Sequence, residues 1–170
     1  MKLTTNTFII AACVLLLAGL SNSFAASEAK IDLSRIIDKA AAEEILGVKV
    51  KEATPRNIEG SDGYYSKCNY YSITPGKTLL LRLYQLAVGR DPQQQLNVLM
   101  KNTPALKEVS GIGDKAFVTD GSASALPSDA LMLYVVKGNS ILTVGLSGNE
   151  TDATGLERAK DVAQKILAQL

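Results

Sequence analysis

Aromatic hydroxyls and a thiol are concentrated in one short stretch of this chain. Four of its six tyrosines lie within eight residues, at positions 64, 65, 70 and 71, and Cys68 lies among them. Tyrosine joins an apolar ring to a hydrogen-bonding tip, and it is enriched at recognition surfaces. A cysteine thiol becomes reactive where neighbouring cations lower its pKa. The stretch therefore predicts either recognition or thiol chemistry.

The strand-like composition of residues 64–73 places these side chains on two faces. One face carries Tyr64, Cys68 and Tyr70. The other face is a candidate recognition surface, and it consists of Tyr65, Lys67, Asn69 and Tyr71. The favoured interpretation is structural: tyrosine prefers strands and pairs across them without binding any ligand.

For Cys68, the favoured interpretation is a buried free thiol that packs as a small apolar residue. Free cysteines are among the most buried residue types. The adjacent cation, Lys67, points to the opposite face of a strand, so it is badly placed to activate the thiol. An intermolecular disulfide and a catalytic thiol are the alternatives.

The chain contains no histidine, and this excludes several kinds of active site. Ser-His-Asp and Cys-His mechanisms need an imidazole, and histidine is also a leading zinc ligand. We therefore predict no catalytic residues, no metal ligands and no cofactor. An enzyme that works without histidine is the alternative.

Residues 1–25 have the pattern of a signal peptide. Lys2 precedes an apolar run over residues 8–20, and Ser23 and Ala25 supply the small residues of a cleavage site. We predict cleavage near Ala25 and export of residues 26–170 to the periplasm or the medium. Residues 10–13 also resemble a lipobox, so lipidation of Cys13 and membrane anchoring are the alternative. Soluble export is favoured because the longest apolar run follows Cys13.

Charge on the chain is evenly balanced. It has 18 basic and 17 acidic residues, and removal of Lys2 with the leader makes the two numbers equal. Such a chain has no electrostatic reason to bind nucleic acid or an anionic membrane. The predicted partner is a protein or a small molecule of unknown identity.

Hydrophobic periodicity predicts the elements that position the candidate surface. Helical spacing covers residues 31–46, as one helix or two, with Asp38 as a cap and Gly47 as a terminator. Asp91 and Pro92 open a short helix, and a final helix covers residues 152–169. Strands are predicted over residues 48–51, 64–73, 78–88, 106–109, 115–119, 131–136 and 140–146, with polar stretches at 54–63 and 120–129.

Consecutive hairpins indicate mainly antiparallel pairing. We predict a single α+β domain over residues 26–170. Its antiparallel sheet is built from hairpins and is covered by an N-terminal helix, a short middle helix and a C-terminal helix.

Several short motifs of the chain resemble those of a known class. They are the helix ending in Leu46-Gly47, the strand with Cys68-Asn69-Tyr70, the glycine-rich residues 111–116, and the apolar hairpin before the last helix. In these motifs the chain is similar to small exported α/β domains of unknown function found in bacterial lipoproteins, which are broadly PsbP-like. The resemblance implies a fold more than a function.

These observations together predict a non-catalytic exported domain that binds a protein partner or a small ligand through its sheet or loops. The alternatives are a histidine-independent enzyme and an envelope protein that is lipid-anchored at Cys13.

Overall fold

A computed structural model describes residues 29–101, 106–120, 130–148 and 153–170. The described residues form four helices and one seven-stranded antiparallel sheet, which confirms the predicted mixture of helices with a mainly antiparallel sheet. The predicted cleavage site at Ala25, the alternative lipidation site at Cys13 and most of the predicted loop at 120–129 lie outside the described residues.

The sheet joins an N-terminal group of strands to a C-terminal group. Its strands are β1 Arg56–Gly60, β2 Gly63–Tyr71, β3 Thr78–Leu86, β4 Lys107–Val109, β5 Lys115–Asp120, β6 Ala130–Lys137 and β7 Ser140–Ser147. They lie in the order β1-β2-β3-β7-β6-β5-β4. All pairings except β3 with β7 join strands that are consecutive in the sequence, as a sheet built from hairpins requires.

The helices are α1 Leu33–Ile36, α2 Lys39–Leu46, α3 Pro92–Met100 and α4 Ala153–Leu167. The Asp38 carboxylate accepts a hydrogen bond from the Ala41 amide at 2.8 Å, and Gly47, with φ of +66°, ends α2 as predicted. Asp91 accepts from the Gln93 amide at 2.8 Å and caps α3. Residues 31–46 therefore form two short helices.

Two predictions for residues 48–63 are wrong. Residues 48–51 alternate like a strand, but Val50 makes only an isolated bridge with Ser72. The polar stretch contains β1, and every residue of this strand is exposed. β1 forms because its backbone pairs with β2 across a tight turn at Ser61 and Asp62, so no apolar pattern marks it.

The register of the strands divides the sheet into two faces. On the face that we call the core face, Cys68 and Tyr70 are buried in one cluster with residues of α1, α2 and α4. The opposite face, which we call the open face, carries Tyr65 and the other predicted recognition residues. Leu96 of α3 packs against a small apolar cluster at one end of the open face.

Candidate functional site

The four predicted recognition residues lie on the open face, where they line two cavities. Lys67, Asn69 and Tyr71 line a cavity of about 320 Å³, which we call the Asn69 cavity. Tyr65 lines a neighbouring cavity of about 260 Å³, which we call the Tyr65 cavity. Arg82 lines both, so its side chain lies where the two cavities adjoin.

The other walls of the Asn69 cavity come from three further strands. Cross-strand pairs place Tyr71 beside Thr78, and Thr78 beside Ser147, so hydroxyl groups from β2, β3 and β7 lie next to one another. The side chains that these strands and β6 add on the open face are Thr78, Leu80, Arg82, Ala130, Met132 and Ser147.

Gly145 leaves space for the floor of the Asn69 cavity. It lies in β7 between Leu80 of β3 and Met132 of β6. A Cβ at this position would lie 2.6 Å from Met132 Sδ and 3.1 Å from Leu80 Cβ. Because glycine has no side chain, the Leu80 and Met132 side chains can lie close to its backbone and form an apolar floor.

Three cations occupy directly paired positions on the open face, and we call them the cationic row. Arg56 of β1 pairs with Lys67 of β2, and Lys67 pairs with Arg82 of β3. Within the described ranges, none of the three makes an ion pair. Like charges at directly opposite positions destabilise a sheet. The row therefore favours the binding of an anion, which would reduce this repulsion.

Asn69 carries a buried polar atom that has no hydrogen-bonding partner in the described part of the chain. Its Nδ2 donates to the Tyr71 hydroxyl at 3.1 Å, whereas its Oδ1 accepts no hydrogen bond. An unsatisfied buried acceptor costs about 1–3 kcal/mol. Tyr71 is 49% exposed, and its hydrogen bond with Asn69 is exposed to solvent. The Asn69 side chain therefore brings to the cavity an acceptor that no described residue satisfies.

The Tyr65 cavity is lined by two tyrosines, Tyr65 and Tyr84, and Tyr84 also contacts a carboxylate beside the cavity. The rings of Tyr65 and Tyr84 pack edge to face, with centroids 6.3 Å apart. The Tyr84 hydroxyl donates to the Asp62 carboxylate. Burial and this hydrogen bond raise the pKa of Tyr84 to about 12, and the same bond lowers the pKa of Asp62. Both groups are thereby held in their ordinary neutral-pH forms, so the contact orients Tyr84 and supplies no acid or base.

Cys68 lies on the core face as a free, fully buried thiol. Burial raises its pKa, which keeps the thiol protonated at neutral pH. The neighbouring Tyr70 is also buried, and its hydroxyl donates to the Ile37 carbonyl. A protonated, buried thiol is a poor nucleophile, so the geometry favours a packing role for Cys68.

A larger cavity of about 370 Å³ lies near the β6–β7 turn and the end of the chain. Its main polar groups already have partners within the protein. Gln85 Nε2 donates to the Ala29 carbonyl at 2.9 Å, and Lys137 Nζ donates to the Leu167 carbonyl at 3.0 Å. The Asn69 cavity is the better candidate site because, among the described residues, none pairs with its cations or donates to its amide oxygen.

Sequence reasoning missed Arg82, Gly145 and Met132. Alternation within β3 places Arg82 on the same face as Leu80 and Tyr84, and this signal was present in the sequence. Alternation does not show that β3 pairs with β7, which follows much later in the chain. Without that pairing, Gly145 and Met132 cannot be assigned to the same site as Lys67.

No family model, curated protein or solved structure matches the chain. Within the described residues, no group of three or more cysteine and carboxylate side chains is arranged to hold a metal ion. The helices in those same ranges are too short or too polar to cross a membrane. The candidate site therefore has to be interpreted from its own geometry.

Proposed function

We propose that this chain is a non-catalytic binding domain, exported through a leader at residues 1–25, whose open face binds a small ligand or a protein partner. The observation that carries the proposal is the composition of the Asn69 cavity. The cavity is lined by Lys67 and Arg82, which make no ion pair with a described residue, and by Asn69, whose buried Oδ1 accepts no hydrogen bond from one.

The size of the Asn69 cavity favours a small ligand over a protein. Its volume of about 320 Å³ lies at the lower end of the range of small-molecule sites. The described lining residues offer hydroxyl, amide and cationic groups around an apolar floor, and none of them is a carboxylate or a thiol. This set of groups can orient a ligand, and among the described lining residues no carboxylate or imidazole is present to activate a hydroxyl group.

The proposal includes the way in which the helices surround the sheet. In it, α1, α2 and α4 cover the core face, while α3 covers one end of the open face and leaves the Asn69 cavity accessible. The two apolar clusters, one on each face, support this arrangement. The proposal also keeps the family resemblance to small exported, PsbP-like domains, which rests on the sequence motifs alone. The second candidate is that the chain is anchored to a membrane by a lipid on Cys13, because residues 10–13 resemble a lipobox.

The test uses a methyl group inside the candidate site. The chain has three methionines, at positions 1, 100 and 132, so residues 26–170 contain only Met100 and Met132. Protein with ¹³C-labelled methionine methyl groups would be titrated with a panel of small anionic, neutral and cationic molecules. We expect at least one molecule of the panel to shift the Met132 methyl signal saturably. The Met100 signal should not shift, because Met100 packs against the small apolar cluster with Leu96 and does not line the Asn69 cavity.

A pair of variants separates the cavity from the rest of the surface. Tyr71→Ala removes a lining side chain and should weaken the binding that Met132 reports. Val88→Ala shortens an apolar side chain outside the cavity at a residue that is 97% exposed, and it should leave binding unchanged. A panel in which no molecule of any charge moves the Met132 signal would contradict the proposed function.

A further inference from the structure

We infer that the ligand of the Asn69 cavity is a short amphipathic anion, with its charged group at Lys67 and Arg82 and its apolar part over Leu80 and Met132. This inference rests on the proposed function and names the class of ligand. It follows from the order in which charged, apolar and hydroxyl-bearing residues succeed one another along the strands.

The charged end of the site is fixed by a cross-strand pair. Lys67 and Arg82 are directly opposite, so their Cβ atoms are about 5 Å apart. Both line the Asn69 cavity, and neither makes an ion pair with a described residue. A carboxylate or phosphate between them could accept hydrogen bonds from both side chains. Binding would also relieve the repulsion between the two cations.

The apolar end begins two residues further along the same strands. Leu80 follows from Arg82 at strand spacing, about 7 Å away, and Met132 lies across Gly145 from it. Leu80 is half-buried and offers most of the exposed apolar surface, while Met132, with 3% of its surface exposed, closes the floor beside it; an apolar chain laid over Leu80 would lose contact with water. An inorganic anion alone would leave this floor unused.

The far end of the cavity is polar again. The Tyr71 and Thr78 side chains pair across the strands there, four residues from Lys67 and Arg82, which corresponds to about 13 Å. The length of the cavity therefore limits the apolar part of the ligand to a short alkyl chain. Long-chain lipids exceed this length, and a bulky folded partner exceeds the volume of about 320 Å³.

A matched series of six-carbon probes tests each part of the inference through the Met132 methyl signal. Hexanoate and hexyl phosphate carry the anion and the chain, and they distinguish a carboxylate from a phosphate head group. Hexanol lacks the charge, hexylammonium reverses it, and acetate and inorganic phosphate lack the chain. We expect one or both alkyl anions to bind about tenfold more tightly than each of the other probes. Their affinity should also fall as salt concentration rises.

Variants assign the charge recognition to the two cations. Arg82→Gln and Lys67→Gln should each weaken binding of the alkyl anion about tenfold and reduce its dependence on salt. Lys165→Gln removes the same charge from an exposed position on α4, and binding should be unchanged. The Met100 signal and the denaturation midpoint report whether each variant is folded.

The inference is overturned if hexanol or hexylammonium binds as tightly as the alkyl anions. It is also overturned if acetate or inorganic phosphate does so, because the apolar floor would then contribute nothing. These results would still show binding at the Asn69 cavity and would leave the proposed function intact. Both the inference and the proposed function would be wrong only if no probe shifted the Met132 signal.

Discussion

The packing of α4 on the sheet can be tested at Ile166, which is fully buried in the main apolar cluster. α4 contacts β6 and β7 at the centre of the molecule. The Ile166→Ala variant removes every side-chain carbon beyond Cβ. At about 0.8 kcal/mol for each buried carbon, the lost transfer free energy is about 2.4 kcal/mol. The cavity that is left behind raises the expected loss of unfolding free energy to about 3–4 kcal/mol.

Such a loss is a large part of the stability of an ordinary domain, about 5–15 kcal/mol. Urea denaturation followed by circular dichroism would measure it as a lower midpoint with an unchanged slope. Lys160 of α4 is a poor control because it is partly buried and forms an ion pair with Glu157 at 2.8 Å. Lys165, which is exposed, is therefore the better control.

Lys165→Ala should reduce the unfolding free energy by less than about 0.5 kcal/mol. If Ile166→Ala and Lys165→Ala reduce stability equally, α4 does not pack on the sheet through Ile166. The assignment of the core face to α4 would then be wrong. A changed slope in the Ile166→Ala variant would instead indicate that the compactness of the unfolded or the native state has changed.

Three further predictions concern the thiol, the tyrosines and the leader. Cys68 should react slowly with a thiol reagent in the native protein and rapidly after denaturation, and rapid native labelling or a disulfide-linked dimer on a non-reducing gel would contradict its burial. Burial raises the pKa of Tyr70 above its usual value, and burial with the Asp62 hydrogen bond raises the pKa of Tyr84 to about 12. Because the folded pKa values exceed the unfolded ones, both tyrosines contribute stability below about pH 10 that is lost as pH rises through the folded values. Absorbance titration should show Tyr70 and Tyr84 ionising after the other tyrosines. The Tyr84→Phe variant should lose less stability at alkaline pH than the unmodified protein. Simultaneous ionisation of all the tyrosines near pH 10 would refute this prediction. Mass spectrometry of the exported protein should give a chain that begins at or near Ala26, whereas a diacylated chain that begins at Cys13 would establish lipid anchoring.

Local patterns predicted the parts of the fold that depend on neighbouring residues. Alternation in β2 placed Lys67 and Asn69 on the face opposite Cys68, as the register shows. The caps at Asp38 and Asp91 also follow from adjacent residues, because a carboxylate reaches only the amides of the next helical turn. The starts of α2 and α3 were therefore accessible from sequence alone.

The candidate site depends on pairing between distant strands, and sequence patterns do not determine such pairing. Arg56 lies in a strand without apolar residues on alternate positions, so neither β1 nor its place in the cationic row could be predicted. Met132 joins Lys67 only because β7 lies between β3 and β6. The predicted surface on β2 was therefore one wall of the Asn69 cavity, and the other walls required the sheet order.

The position of β7 beside β3 has a consequence for the kinetics of folding. The central pairing of the sheet is between β3 and β7, which α3, β4, β5 and β6 separate in the chain. We therefore expect this pairing to form more slowly than the pairings within hairpins. Until β6 and β7 are synthesised, β3 presents an unpaired edge with Leu79, Leu81 and Leu83 on one side. A partly synthesised chain is thus prone to aggregate through this edge, and the final hairpin protects the chain by completing the sheet.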